Sequence, residues 1–95
     1  MTVFGIDFDG TWSRDPGIWS KFTADVLAAG HKVWVVTARR DDEEELVQDV
    51  LDVTGLPRWR HVFTRLQAKR PFCEERGIKI DVWIDDDPQY IENSR

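Results

Sequence analysis

"FGIDFDGTW", Phe4–Trp12, decides how this chain is read. An apolar run stops at two aspartates one residue apart, Asp7 and Asp9, and Gly10 and Thr11 follow at once. Val3–Phe8 reads as a buried strand, and the glycine as the turn that leaves it. A core has no use for two neighbouring carboxylates. Like charges at that spacing repel unless something positive lies between them.

Working outward, apolar runs alternate with helix-like segments. From Pro16 to Ala29, residues Ile18, Trp19, Phe22, Val26 and Leu27 recur at helical spacing, and Gly30 stands where a helix would stop. "KVWVVT" (Lys32–Thr37) is continuous rather than alternating, as in a strand buried on both faces. "DDEEELVQDVLDVTG" (Asp41–Gly55) reads as a helix capped by Asp41 or Asp42, with Leu46, Val47, Val50 and Leu51 as its apolar stripe. Its acidic run suits the positive end of the helix dipole, so we read it as a helix start and not a metal site. His61–Arg65 forms a third strand candidate. A helix around Arg70–Arg76 follows, with Pro71 in its first turn and Gly77 at its end. Asp81–Asp85 is the fourth strand, and a short helix begins at Pro88 with Asp87 as its cap. Alternating strand and helix predicts an α/β fold built on a parallel sheet, in a single domain over residues 1–95.

The totals narrow the function. The net charge of −5 argues against a general binder of nucleic acid or of an anionic membrane, while leaving room for a local basic patch. Cys73 is the only cysteine, so no internal disulfide forms. No apolar run reaches membrane-spanning length and no signal-peptide layout is present, so a cytoplasmic protein without a membrane partner is expected.

In parallel sheets, ligands collect beyond the carboxyl ends of the strands. At that edge the expected strands deliver Asp7 and Asp9, then Thr37, Ala38 and Arg39, then Lys69 and Arg70, then Asp85, Asp86 and Asp87. His31, His61 and Lys79 precede strands and belong to the opposite rim, so both histidines are read as structural or solvent-facing. Converging carboxylates call for a divalent cation, and hard oxygen ligands favour Mg²⁺. A lysine and such a cation together neutralise a phosphate. The turn at Gly10 lets backbone N–H groups approach phosphate oxygens. The compact ammonium of Lys69 suits contact with a carboxylate better than the forked guanidinium of Arg70. Cys73 has no partner that would make it reactive.

"DFDGT" (Asp7–Thr11), "VVTAR" (Val35–Arg39), Lys69 and "WIDDDP" (Trp83–Pro88) resemble, in order, the four signature motifs of the haloacid dehalogenase-like phosphohydrolase superfamily. The resemblance implies a three-layer Rossmann-like sheet in the strand order 3-2-1-4 with flanking helices. It implies a Mg²⁺-dependent phosphatase acting through an aspartyl-phosphate. Asp7 would be the nucleophile and Asp9 the general acid–base, whose backbone carbonyl also binds the metal. Phe8, Gly10 and Thr11 would form the first phosphate loop, Thr37 and the N–H of Ala38 would hold the phosphate, and Lys69 would bind both phosphate and nucleophile. Asp85 and Asp86 would complete the metal site with Asp7.

Trp12 and Arg14 fall where the superfamily carries a flap, so either they meet a substrate or they pack on their own loop. Only 25 residues separate Thr11 from Thr37, and 31 separate Thr37 from Lys69, which leaves no room for a cap domain. The resemblance then points to a phosphorylated small molecule, a nucleotide or a polynucleotide 3′-phosphate, the last served by Arg65, Lys69 and Arg70. The superfamily's usual fifth strand is missing, so a second copy of the chain or the tail Pro88–Arg95 is expected to cover the edge of strand four. Two other readings stand beside this one. The first is a non-catalytic phosphate- or metal-binding module on the same fold. The second is a phospho-receiver domain, whose phosphorylated Asp would follow strand three, where this chain has Thr64 and Arg65.

Overall fold

A computed structural model describes all residues from Met1 to Arg95. Four parallel strands form one sheet: β1 (Val3–Ile6), β2 (Lys32–Thr37), β3 (His61–Phe63) and β4 (Val82–Ile84), in the order β3-β2-β1-β4. The helices are α1 (Pro16–Ala28), α2 (Glu44–Thr54), α3 (Lys69–Glu75) and α4 (Gln89–Glu92). The expected architecture and strand order are those observed. None of these helices is long and apolar enough to cross a membrane.

The central strand β2 explains the layering. Val33 and Val35 face a core that contains Ile6, Phe8, Trp12, Val47 and Val50, against which α1 packs Trp19, Phe22, Val26 and Leu27. Val36 faces the other side, with Val62, Phe72 and Cys73, and Trp34 and Trp83 pack there. A strand buried on both faces has no polar side to alternate with, which is why "VWVV" reads as a continuous run. Two long helices cover the first face. The seven-residue α3 carries most of the second.

Several boundaries differ from expectation, each for a local reason. β1 ends at Ile6, because Phe8–Trp12 folds into a tight return turn in which Trp12 N–H reaches Asp7 O (3.2 Å) and Ser13 N–H reaches Phe8 O (3.0 Å). Asp15 caps α1 by accepting from the N–H of Ile18 at 3.3 Å. Helix α2 starts at Glu44 and not at an Asp41 or Asp42 cap; Asp41 instead pairs with Arg65 (2.7 Å) and Arg58 (3.7 Å). Leu46, expected in its buried stripe, is 45% exposed, while Val47, Val50 and Thr54 are buried. β3 stops at Phe63, since Arg65 and Leu66 take positive φ angles of 54° and 67° that no strand accommodates.

Helix α3 begins at Lys69, β4 keeps only Val82–Ile84, and Pro88, not Asp87, occupies the cap position of α4. The Asp87 carboxylate accepts from the side chain of Gln89 at 3.0 Å. The tail does not run along β4. α4 packs on α3, and the Arg95 N–H reaches Leu66 O at 2.9 Å, leaving Val82 on the outer strand 41% exposed.

The layering separates two apolar truncations. Ile6→Ala, at the fully buried carboxyl end of β1, is expected to lower unfolding stability by about 2–5 kcal/mol. Leu46→Ala should change it by no more than about 0.5 kcal/mol. Urea denaturation followed by tryptophan fluorescence measures both, and an equal loss at the two positions would contradict the packing described.

Candidate active site

The parallel register gathers the strand ends. Ile6 pairs with Val35 on one side and with Ile84 on the other, so Asp7 and Asp85 leave the sheet side by side and Thr37 ends β2 nearby. The N–H of Asp7 donates to Ile84 O at 2.9 Å, which fixes the aspartate against β4 before the chain turns away.

Lys69 lies between them. Its ammonium donates to Asp7 Oδ1 at 2.7 Å and to Asp85 Oδ2 at 2.6 Å, and its side chain is almost wholly buried. The other Asp85 oxygen accepts from the N–H of Asp87 at 2.9 Å. The hydroxyl of Thr11 stands 3.3 Å from both Asp7 Oδ2 and Asp86 Oδ1, and accepts from the N–H of Asp86 at 3.2 Å. Thr11 thereby holds the carboxylates of β1 and β4 in register. One oxygen from each of Asp7, Asp85 and Asp86 falls within 4.8 Å of the others.

Gly10 makes this approach possible. Its φ is +81°, and a Cβ there would come within 2.3 Å of Asp86 Oδ2. Only glycine allows both the turn and the contact.

Three carboxylates share one ammonium, and the shortage of positive charge appears in the titration of the cluster. The Asp7 carboxyl is pushed up to about 7. Burial is the main cause, opposed by Lys69 and reinforced by the hydrogen bond to Asp86 and the charge of Asp85. Asp86 moves below the ordinary carboxylate range, chiefly because it accepts that hydrogen bond from Asp7. Asp7 therefore keeps its proton to higher pH than a free carboxyl, while Asp86 ionises more readily than one. Clustered hard oxygens short of positive charge fit a divalent ion of the Mg²⁺ type.

The Asp9 side chain takes a different direction. It forms a two-pronged ion pair with Arg39, Nε to Oδ2 at 2.9 Å and Nη2 to Oδ1 at 2.8 Å, and contributes no side-chain oxygen to the cluster. The Arg39 guanidinium also lies 5.1 Å over the Phe8 ring. The sequence placed Arg39 at this edge, two positions after Thr37, but gave it no role. The Thr37 hydroxyl is buried and accepts from the N–H of Arg39 at 3.3 Å. Ala38 O accepts from the N–H of Leu66 at 2.9 Å and Arg39 O from that of Arg65 at 3.3 Å, so the second and third strand exits are tied together.

Trp12 is corrected. It is fully buried in the core beside Phe8 and Val47, so it offers no stacking surface to a substrate. Arg14 remains at the site, where it lines a cleft of about 490 Å³ together with Gly10, Asp85 and Asp86. Arg70 turns outward to Glu92 and the face of Trp83. The histidines are structural: His31 Nδ1 accepts from the N–H of Thr2, and buried His61 lies between Thr54 Oγ1 (2.8 Å) and Pro57 O (3.0 Å). Burial pushes the Cys73 thiol up to about 11, which keeps it unreactive.

No family model, curated protein or solved structure matches this chain.

Two outcomes follow from the cluster. Without a divalent cation, the folded state holds a proton on Asp7 that the unfolded chain releases above 3.8. The stabilisation from Asp7 is thus complete below the unfolded value and is lost as pH rises through about 7. His61, whose value is lowered mainly by burial, works in the opposite direction as pH falls below 6.5. The difference between wild type and Asp7→Asn in chelator isolates the carboxyl: urea midpoints should converge at acid pH and separate in favour of the variant as pH rises. Parallel profiles would refute the raised value of the Asp7 carboxyl. Gly10→Ala should cost at least about 1–2 kcal/mol by forcing a left-handed alanine, and urea denaturation reads this directly.

Proposed function

We propose that this chain is a Mg²⁺-dependent phosphomonoester hydrolase of the haloacid dehalogenase-like type that works through an aspartyl-phosphate. The observation that carries the reading is the buried Lys69 ammonium bridging Asp7 and Asp85 beside Asp86, at the exits of adjacent parallel strands.

Asp7, Asp85 and Asp86 would hold the ion, with the Asp9 backbone carbonyl as a further ligand, and it would supply the positive charge that the cluster lacks. The remaining chemistry belongs to the chain. An Asp7 oxygen attacks phosphorus, the bond from phosphorus to the leaving alkoxide breaks, and Asp9 delivers a proton to that oxygen. Asp9 then takes a proton from water, whose oxygen attacks phosphorus. The Asp7–phosphorus bond breaks, releasing inorganic phosphate. For both steps Asp9 must leave Arg39, so opening of that exposed pair accompanies substrate entry. Lys69, the Thr37 hydroxyl and the N–H groups of Ala38 and the Phe8–Thr11 loop would balance charge on the transferring phosphoryl group.

Lys69 has a second task. A lone carboxylate buried as deeply as Asp7 resists ionisation, and a protonated Asp7 is no nucleophile. The ammonium at 2.7 Å opposes that resistance. A cytoplasmic setting belongs to the same reading, since the one cysteine stays a buried free thiol.

Asp7→Asn should remove Mg²⁺-dependent hydrolysis of an aryl phosphate while leaving the circular dichroism spectrum unchanged. Asp9→Asn should lower turnover by ~10²–10⁴-fold. Chelation should silence the wild type, and added Mg²⁺ should restore it. Undiminished turnover in Asp7→Asn would overturn the mechanism.

A further inference from the structure

The largest cavity of the molecule is not at the carboxylates. A groove of about 630 Å³ runs beside the edge strand β3, on the face that α3 leaves partly uncovered. Its floor is aromatic and apolar, with Trp34, Phe63 and Phe72 among its lining. Its rims carry Arg58, Arg65 and Arg76, with Asp41 as the one acidic residue. This lining is basic in a chain of net charge −5.

The arginines are laid over the rings. Arg60 covers the face of Trp59 at 4.2 Å and reaches Trp34 at 5.8 Å, Arg58 covers Phe63 at 5.3 Å, and Arg76 covers Phe72 at 3.4 Å. Trp59 meets Trp34 edge-to-face at 6.2 Å and is 62% exposed, the most exposed of the large aromatic side chains. A solvent-facing tryptophan flanked by guanidinium groups offers a flat apolar face and counter-charge side by side. Nucleobases linked by phosphates match that pattern, because every base has a face to stack and every linkage carries a negative charge.

We infer that the β3 groove, with Trp59 as its stacking platform and Arg58, Arg60, Arg65 and Arg76 as its phosphate contacts, binds single-stranded nucleic acid. An acidic protein segment would meet the same arginines but has no need of an exposed tryptophan face between them. The groove also leads to the carboxylates. Arg65 on its rim donates its N–H to the carbonyl of Arg39, and Arg39 grips Asp9. A strand lying along β3 would thus bring its terminal phosphate to the Thr37–Lys69 edge. That last step rests on the phosphatase reading; binding in the groove does not.

Binding is tested apart from turnover, with fluorescein-labelled single-stranded DNA and RNA oligonucleotides lacking a terminal phosphate, followed by anisotropy in chelator. Wild-type protein should bind one or both, with log K falling against log salt at a slope of about −3 for four phosphate contacts. Trp59→Ala should weaken binding by ~10-fold. Arg60→Glu should weaken it and flatten the salt slope. Trp59 is exposed and Arg60 half-buried, and unchanged urea midpoints show that the fold is intact. Hydrolysis of a small aryl phosphate should be the same in both variants as in wild type, so loss of oligonucleotide binding and loss of catalysis are read separately. Three results would overturn the inference: no binding of either oligonucleotide at low salt, equal binding by wild type and Trp59→Ala, or a groove occupied by a second copy. The last would appear in sedimentation as a dimer that Trp59→Ala dissociates.

Discussion

One buried ammonium holds this molecule's chemistry together. Lys69 sits under the carboxyl edge of the sheet and touches acids from two different strands, Asp7 after β1 and Asp85 after β4. Burying a carboxylate alone costs several kcal/mol, and burying two side by side costs more. The lysine makes the juxtaposition tolerable without cancelling it. Asp7 still resists ionisation, chiefly because it is buried, while Asp86 is held below the ordinary carboxylate range. The pocket is thus built with a deficit of positive charge. Such a deficit is poor for stability and useful for holding a hard cation.

The backbone that delivers Lys69 is as constrained as the ammonium itself. After β3 the chain must turn sharply inward, and Arg65 and Leu66 do so in the left-handed region although neither is glycine. Their N–H groups are anchored to the carbonyls of Arg39 and Ala38, and Leu66 O receives the N–H of Arg95 from the tail. Strained φ angles persist only where the surroundings over-determine them. Here the second strand exit, the third strand exit and the tail together impose the turn that puts Lys69 at the first residue of α3.

Much of this was legible in the chain. The alternation of strand and helix, the both-sided burial of β2 and the acids at the ends of β1 and β4 all follow from local patterns that tertiary structure reinforces. Asp7, Lys69, Asp85 and Asp86 were named from their places at strand exits, and the folded chain brings them together. The misreadings share a cause, which is that a side chain's partner lies far along the sequence. Asp41 looked like a helix cap, but arginines 17 and 24 positions onward draw it to the β3 edge. Trp12 was left open between meeting a substrate and packing on its own loop, because a loop sequence does not reveal that its turn tucks into the core with Val47 and Val50. Arg39 was placed at the edge but given no role, because its pairing with Asp9 depends on the side-by-side exits of β1 and β2.

The Arg39–Asp9 pair carries that geometry one step further. Its side chains are half exposed, so water screens it and the pair is worth no more than about 1 kcal/mol. A weak latch suits this position. On the proposed phosphatase reading, an incoming phosphate, with more negative charge and more oxygens than one carboxylate, would draw Arg39 away and free Asp9 in the same event. Lys69 is different in kind: buried, doubly paired and tied to the fold, it cannot be exchanged without unpairing Asp7 and Asp85. On that reading, the site would combine one fixed cation beside the nucleophile Asp7 with one displaceable cation on the acid–base Asp9. The displaceable one belongs to the strand exit that is tied through Arg65 and Leu66 to the arginine-lined rim of β3, so the proposed groove and the proposed phosphatase site would share one braced stretch of backbone.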